Sequence, residues 1–296
     1  MGNLMSQRWI ASLCVALFAT TLITSCGGDK PERNKEYDNY SDVKNKGKSD
    51  ASTAVEDSGD GDFGPTGGKP ATTSCDEIMT KVVANSGQIK GQIKYKGTPR
   101  KPAAIDMSKD KWCSDTHSAS YEDLLVSDGG GLENVVVYVS KGFNDIDFDA
   151  PTEPVLLDQR GCVYIPHVVC GVVGQDIKIR NSDDTSHNYN FTSRKNPAVN
   201  KTQPTPSTNT ESLFEKSDMS GNFQCDIHGW MKAPVRVFSH PYFAVTDAEG
   251  NFEIKNLPAG SYQVSFLHER ENLTSAAQTV TVSAGQAAAV TATMGG

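Results

Sequence analysis

Phe223-Gln224-Cys225-Asp226-Ile227-His228-Gly229-Trp230-Met231 sets a cysteine, a histidine and a methionine at successive spacings of three. One loop thus offers a thiolate, an imidazole and a thioether, and it follows a short alternating run, Gly221–Cys225, that reads as a strand. Soft sulfur donors with imidazole suit copper, and two His plus one Cys with a long axial Met is the blue-copper arrangement. The second histidine has to come from elsewhere in the chain. Upstream, Asn181-Ser182-Asp183-Asp184-Thr185-Ser186-His187-Asn188-Tyr189-Asn190-Phe191 follows another strand candidate and offers His187.

Outward from this stretch, the pattern from Gly87 onward is short alternating runs separated by Gly, Pro, Asn and Asp. That pattern predicts an all-β sandwich or barrel. Candidate strands are Gln88–Tyr95, Asn134–Val139, Pro154–Leu157, Val168–Val173, Asp176–Arg180, Asn188–Phe191, Gly221–Cys225 and Ala233–Phe238. Tyr242–Val245, Asn251–Lys255, Ser261–Leu267 and Gln278–Val282 follow. No amphipathic helix of more than about three turns is expected after residue 85. Asp247-Ala248-Glu249-Gly250 and Leu257-Pro258-Ala259-Gly260 read as turns, each with a glycine available for positive φ.

The order Gly174…Asn181, His187-Asn188…Phe191 and Cys225…His228…Met231 resembles the cupredoxins, most closely the amicyanin and plastocyanin branch. The likeness runs from about Pro154 to Phe238, and its short gap between His228 and Met231 is of the amicyanin type. Phe223 departs from the pattern, since the family often carries tyrosine there. The resemblance implies a Greek-key β-sandwich over 151–239 holding one copper. His187, Cys225 and His228 would be the strong ligands and Met231 the weak axial one. Asn188 would tie the two ligand loops together, an outer contact of the kind that orients ligands and tunes the metal. His228 would break the surface as the electron port.

A second resemblance lies downstream. Thr246-Asp247-Ala248-Glu249-Gly250-Asn251-Phe252 followed by Leu257-Pro258-Ala259-Gly260-Ser261-Tyr262 is similar to the carboxypeptidase regulatory-like (prealbumin-like) β-sandwich. The usual opening of that module is missing just before Phe243 but stands much earlier, as Gly91-Gln92-Ile93…Gly97-Thr98-Pro99 and Leu132–Val139. The expectation is a small sandwich split between 86–150 and 240–296, with the copper-binding part inserted; insertions are tolerated at exposed loop tips. The alternative is one enlarged cupredoxin starting near Gly87, followed by an appended sandwich.

The N-terminus predicts export. A basic start at Arg8, an apolar run from Trp9 to Ile23 and Ile23-Thr24-Ser25-Cys26 read as a signal peptide over 1–26. Its end resembles a bacterial lipobox, with Cys26 the lipidated residue; a multi-chain lipid anchor holds a protein stably on a membrane. Gly27 rather than aspartate follows, which points to the outer membrane, facing periplasm or cell surface. Residues 27–85 begin with a polar, Gly/Ser/Asp/Lys-rich stretch that predicts a disordered tether. An exported chain lets cysteines pair. Cys113, Cys162, Cys75 and Cys170 are the disulfide candidates, with Cys113–Cys162 the first of them, and Cys225 is left for metal. A Cys113, His117, Cys162, His167 metal site is the competing reading of that region.

The formal charge of −8 argues against nucleic acid as a partner. No nucleophile elbow or zincin motif is present, and neither are the clustered His pairs of a second copper centre, so an enzyme is not expected. Three roles compete: an electron carrier with a redox partner protein, a copper store or delivery protein, and a metal-free interaction scaffold. Sequence names neither the partner nor the oligomeric state.

Overall fold

Ile89 and Ile93 are fully buried on one face while Lys90 and Lys94 are exposed on the other, which makes the first element a strand. The structure is a computed structural model that describes residues 85–143 and 148–295. The expected signal segment, Cys26, Cys75 and the tether lie outside the described residues apart from Asn85.

In chain order come β1 (Ser86–Tyr95), a six-residue helix α1 (Lys111–Thr116) and β2 (Val136–Lys141). Then follow β3 (Val155–Gln159), β4 (Tyr164–Ile165), β5 (Val169–Val172), β6 (Ile177–Asn181) and β7 (His187–Thr192). The next are β8 (Val199–Gln203), β9 (Ser207–Glu211), β10 (Asp218–Gln224) and β11 (Lys232–Phe238). The last are β12 (Phe243–Val245), β13 (Asn251–Pro258), β14 (Gly260–Leu267), β15 (Gln278–Val282) and β16 (Ala287–Met294). The protein is therefore almost entirely β.

Two sandwiches result. In one, sheet β13-β1-β16 faces sheet β12-β2-β14-β15 over a core that includes Ile89, Ile93, Val137, Phe252, Val264 and Val290. Its strands come from both ends of the described chain: β1 is antiparallel to β13 and parallel to β16, and β2 lies between β12 and β14. Gly91 is required in β1, since a Cβ there would stand 1.6 Å from the Val290 carbonyl oxygen. Gly250 closes the Asp247 turn at φ 77°. Gly260 does not play the matching part at the second turn: it lies inside β14, and positive φ falls instead on Asn256, at 55°. Asparagine tolerates that region better than other non-glycine residues.

The other sandwich packs sheet β5-β11-β10-β7-β8 on sheet β4-β3-β6-β9. Leu157, Ile177, Ile179, Phe191, Phe223 and Val235 are among its core residues. Strands β8, β9 and β16, absent from the sequence-based strand candidates, all lie at sheet edges. An edge strand is half solvated, so it can carry polar residues on both faces, as Val199-Asn200-Lys201-Thr202-Gln203 does.

Asp218, buried at the start of β10, is the polar knot of this sandwich. It accepts hydrogen bonds from Ser193 Oγ (2.5 Å), the backbone N–H of Arg194 and Lys195 (both 3.0 Å), and Ser220 N–H (2.8 Å) and Oγ (2.7 Å). Burial alone would raise its pKa, but the Ser193 and Ser220 bonds prevail and hold the carboxyl well below the usual range. Asp218→Ala is expected to cost about 2–3 kcal/mol at pH 7, because several donors lose a charged acceptor. A depressed folded-state pKa gives stability that is present above the unfolded value and lost as pH falls below it. Wild type should therefore lose more stability between pH 5 and pH 2.5 than Asp218→Asn does. Urea midpoints at the two pH values check this, and equal losses would remove the carboxylate from the account.

Candidate metal centre

The ligand atoms of His187, Cys225 and His228 lie within 4.8 Å of one another because two strand ends meet. Gln224, the last residue of β10, pairs with Asn190 of β7 on one side and with Lys232 of β11 on the other. His187 opens β7, Cys225 follows β10, and His228 and Met231 sit on the loop from β10 to β11. That loop is closed by two backbone bonds, Met231 N–H to His228 O (2.8 Å) and Cys225 N–H to Met231 O (3.1 Å). All four side chains are buried, none more than 1% exposed.

His187 Nδ1 lies 2.9 Å from His228 Nδ1, and Cys225 Sγ lies 3.9 Å from His228 Nδ1. Both separations are shorter than two bonds to a shared ion, given about 2.0 Å for metal–nitrogen and 2.3 Å for metal–sulfur at a site of this kind. The Cys225 sulfur accepts N–H from His228 (3.3 Å) and Asn188 (3.5 Å). Burial would raise its pKa, but the histidines and these two N–H groups bring the thiol down to about 6. A thiolate is the form that binds metal.

The Asn188 side chain bridges the two ligand segments. Its Oδ1 accepts Asp226 N–H at 2.5 Å, and its Nδ2 donates to Asn200 Oδ1 (2.6 Å) and Asp226 Oδ2 (3.1 Å).

Sequence spacing gives no hint of two further residues, Asp183 and Asp110. Asp183 Oδ2 lies 2.9 Å from His187 Nε2, and Asp110 Oδ2 lies 3.1 Å from His228 Nε2. A carboxylate only accepts, so each ring must present its N–H on Nε2. The Nδ1 lone pairs then face each other, buried, across 2.9 Å. Two lone pairs would repel at that distance, and either a proton on one Nδ1, which makes an N–H···N bond, or a metal cation removes the conflict. Burial works against charge on either ring, yet Asp183 and Cys225 at His187, and Cys225 and Asp110 at His228, hold both above the ordinary imidazole value. Its donor types, a thiolate, two imidazoles and a thioether, are ones that suit copper. Asp183 was legible only as the residue four before His187; Asp110 stands in a distant segment.

One expectation needs correction, and one competing reading is set aside. His228 does not break the surface: it is 1% exposed, because Asp110 at the N-cap of α1 and Cys113 within it cover its outer edge, with Cys113 Sγ 3.8 Å from Nε2. The residues Cys113, His117, Cys162 and His167 do not form a second metal site. Cys113 and Cys162 are joined by a disulfide, His117 packs on the Trp112 ring at 4.9 Å, and His167 Nε2 bonds Glu269 at 2.6 Å. Cys170 has no disulfide partner among the described residues; burial pushes its thiol up to about 12.

A cleft of about 700 Å³ opens beside the ligand loop, lined by Ile105, Tyr121, His167, Ile227, Trp230 and Met231 among others. Ile227 is 48% exposed, and the Trp230 ring lies 5.0 Å from that of His228.

Residues 231–295 match the model of the carboxypeptidase regulatory-like domain. The match begins at Met231, just before β11 of the other sandwich, and ends just after β16; β1 and β2, which complete the sheets, lie outside it. Solved structures similar to the chain are copper proteins and cupredoxins. A Cu-containing nitrite reductase from Thermus scotoductus SA-01 is 20% identical over 34% of this chain, with TM-score 0.27. A purple cupredoxin from Nitrosopumilus maritimus is 18% identical over 28% of this chain and 98% of its own, with TM-score 0.24. An amicyanin mutant in its oxidized state is 18% identical over 28% of this chain and 81% of its own, with TM-score 0.26. The chain spans 25% of the length of the nitrite reductase. No curated protein matches it.

Proposed function

We propose that this is a membrane-anchored type-1 copper protein that carries electrons outside the cytoplasm, with His187, Cys225, His228 and Met231 as ligands of one copper. The observation that carries the reading is the pair of buried imidazoles whose Nδ1 atoms face each other at 2.9 Å while carboxylates hold both outer nitrogens. When bound, copper supplies a one-electron couple between Cu(I) and Cu(II). The chain's own part is to hold the donors in one geometry and exclude water. The tight 225–231 loop, the Asn188 bridge and the buried ligands all limit rearrangement, which suits a carrier better than a store or delivery protein. No catalytic role is assigned to any residue. With His228 covered, the exposed Ile227 and the cleft wall at Trp230 form the face offered to a redox partner protein.

The test is a visible spectrum of the oxidised, copper-loaded protein, which should show an intense thiolate-to-copper band. Met231→Gln should keep the colour but lower the reduction potential, because the axial ligand tunes the site without creating it. A colourless wild type, with Cys225 shown to be a free thiol, would sink the carrier reading.

The membrane attachment rests on Ile23-Thr24-Ser25-Cys26. Among the described residues no helix is long and apolar enough to cross a membrane. Cys26→Ser should move the protein from the membrane fraction to the soluble one or block its processing. Unchanged partition and unchanged mass would refute the lipid anchor.

A further inference from the structure

The outer nitrogens of the two histidines are met in matching ways. Asp183 Oδ2 faces His187 Nε2 and also accepts Cys162 N–H at 2.8 Å, while its Oδ1 accepts Gly161 N–H at 2.8 Å. Asp110 Oδ2 faces His228 Nε2, while its Oδ1 accepts Cys113 N–H at 2.9 Å as the cap of α1. Each carboxylate therefore joins one ligand histidine to the backbone of one half of the Cys113–Cys162 disulfide. Asp183 belongs to the loop between β6 and β7, four residues before its histidine. Asp110 comes from the segment between β1 and β2, outside the copper sandwich.

We propose that Asp110 and Asp183 are positioning residues, a pair of carboxylate clamps that fix both imidazoles with Nδ1 toward the copper and Nε2–H outward, and that the disulfide keeps the two clamps in step. This rests on the copper reading above. A metal-bound histidine that donates its other N–H to a carboxylate is fixed in tautomer and orientation and becomes a more basic ligand. A more basic ligand favours Cu(II) over Cu(I), so the clamps hold the potential below that of the same four ligands without them. Asp183 is buried, where a charge is screened little by solvent, while Asp110 is half-buried. Asp110 has a second consequence: the long segment between β1 and β2 becomes part of the copper centre, closing the side where His228 would otherwise meet water.

The experiment compares wild type, Asp110→Asn, Asp183→Asn and the double variant Cys113→Ser/Cys162→Ser. In metal-free, ¹⁵N-labelled protein, imidazole nitrogen shifts should show Nε2–H on both rings of wild type. Asp110→Asn should perturb the His228 signals and spare His187, and Asp183→Asn the reverse. In copper-loaded protein each Asn variant should keep its colour, bind copper about 10–100-fold more weakly and have a raised potential. A tenfold change in the Cu(II)-to-Cu(I) affinity ratio corresponds to about 59 mV. The Cys double variant should shift the potential in the same direction, which covers the case of an Asn variant that fails to fold. Unchanged affinity and potential in the folded Asn variants, or either wild-type ring with its proton off Nε2, would overturn the clamps. A colourless wild type would instead sink the copper reading, and the nitrogen shifts would still decide the tautomers.

Discussion

Cys225→Ser, loaded with Cu(II), is expected to be colourless. The intense visible band of a blue-copper centre comes from charge transfer out of a thiolate, and of the four donors only Cys225 can supply one. Its sulfur is fully buried and accepts two backbone N–H groups, from His228 and Asn188. With its pKa near 6, Cys225 is mainly thiolate at pH 7. A serine hydroxyl would stay protonated under those conditions. The variant should still hold Cu(II) through His187 and His228, with lower affinity, because the clamping carboxylates and the Nδ1 pair are untouched. Absorption at one equivalent of Cu(II), with metal content measured on the same sample, separates loss of colour from loss of metal. A variant that binds copper and keeps the wild-type band would remove Cys225 from the centre.

Phe223→Ala should be the costliest single truncation near the site, at about 3–5 kcal/mol. Phe223 is fully buried two residues before Cys225, with its ring 4.9 Å from Phe191 and 6.3 Å from Tyr164. Those three rings fill the space between the sheets directly beneath the ligand loop, and close-packed neighbours relax only partly into a cavity. The loss should appear as a lower urea midpoint for the copper-free protein. The copper-loaded protein should regain part of it, since a ligand that binds only the folded state stabilises it by mass action. A midpoint within about 0.5 kcal/mol of wild type would show that the surrounding rings collapse into the space.

The all-β class was legible because strand periodicity is local. Ile89 and Ile93 alternating with Lys90 and Lys94 announce a one-faced strand without any partner, and Asp247 to Gly250 announces its turn. Strands β8 and β9 were not legible, since polar edge strands lack the alternation that marks buried ones; β16 does alternate, burying Val290, Ala292 and Met294. Gly260 was misplaced for a related reason: a glycine permits positive φ but does not demand it, and here Asn256, within β13, adopts it instead.

At the candidate metal centre, Cys225, His228 and Met231 are set by spacing within one loop, and His187-Asn188 by position after a strand, so sequence alone determined the candidate donors. What covers that set was decided only by the tertiary structure. Asp110 lies 118 residues from His228, and only the disulfide and the capped helix bring its carboxylate within 3.1 Å of that ring. Burial of His228, which moves the exposed edge of the centre to Ile227 and Trp230, follows from that same contact. Local spacing can specify which atoms bind a metal, because they share a loop and two adjacent strand ends. The charge and water around those atoms depend on what the rest of the chain lays over them, and that is a property of packing.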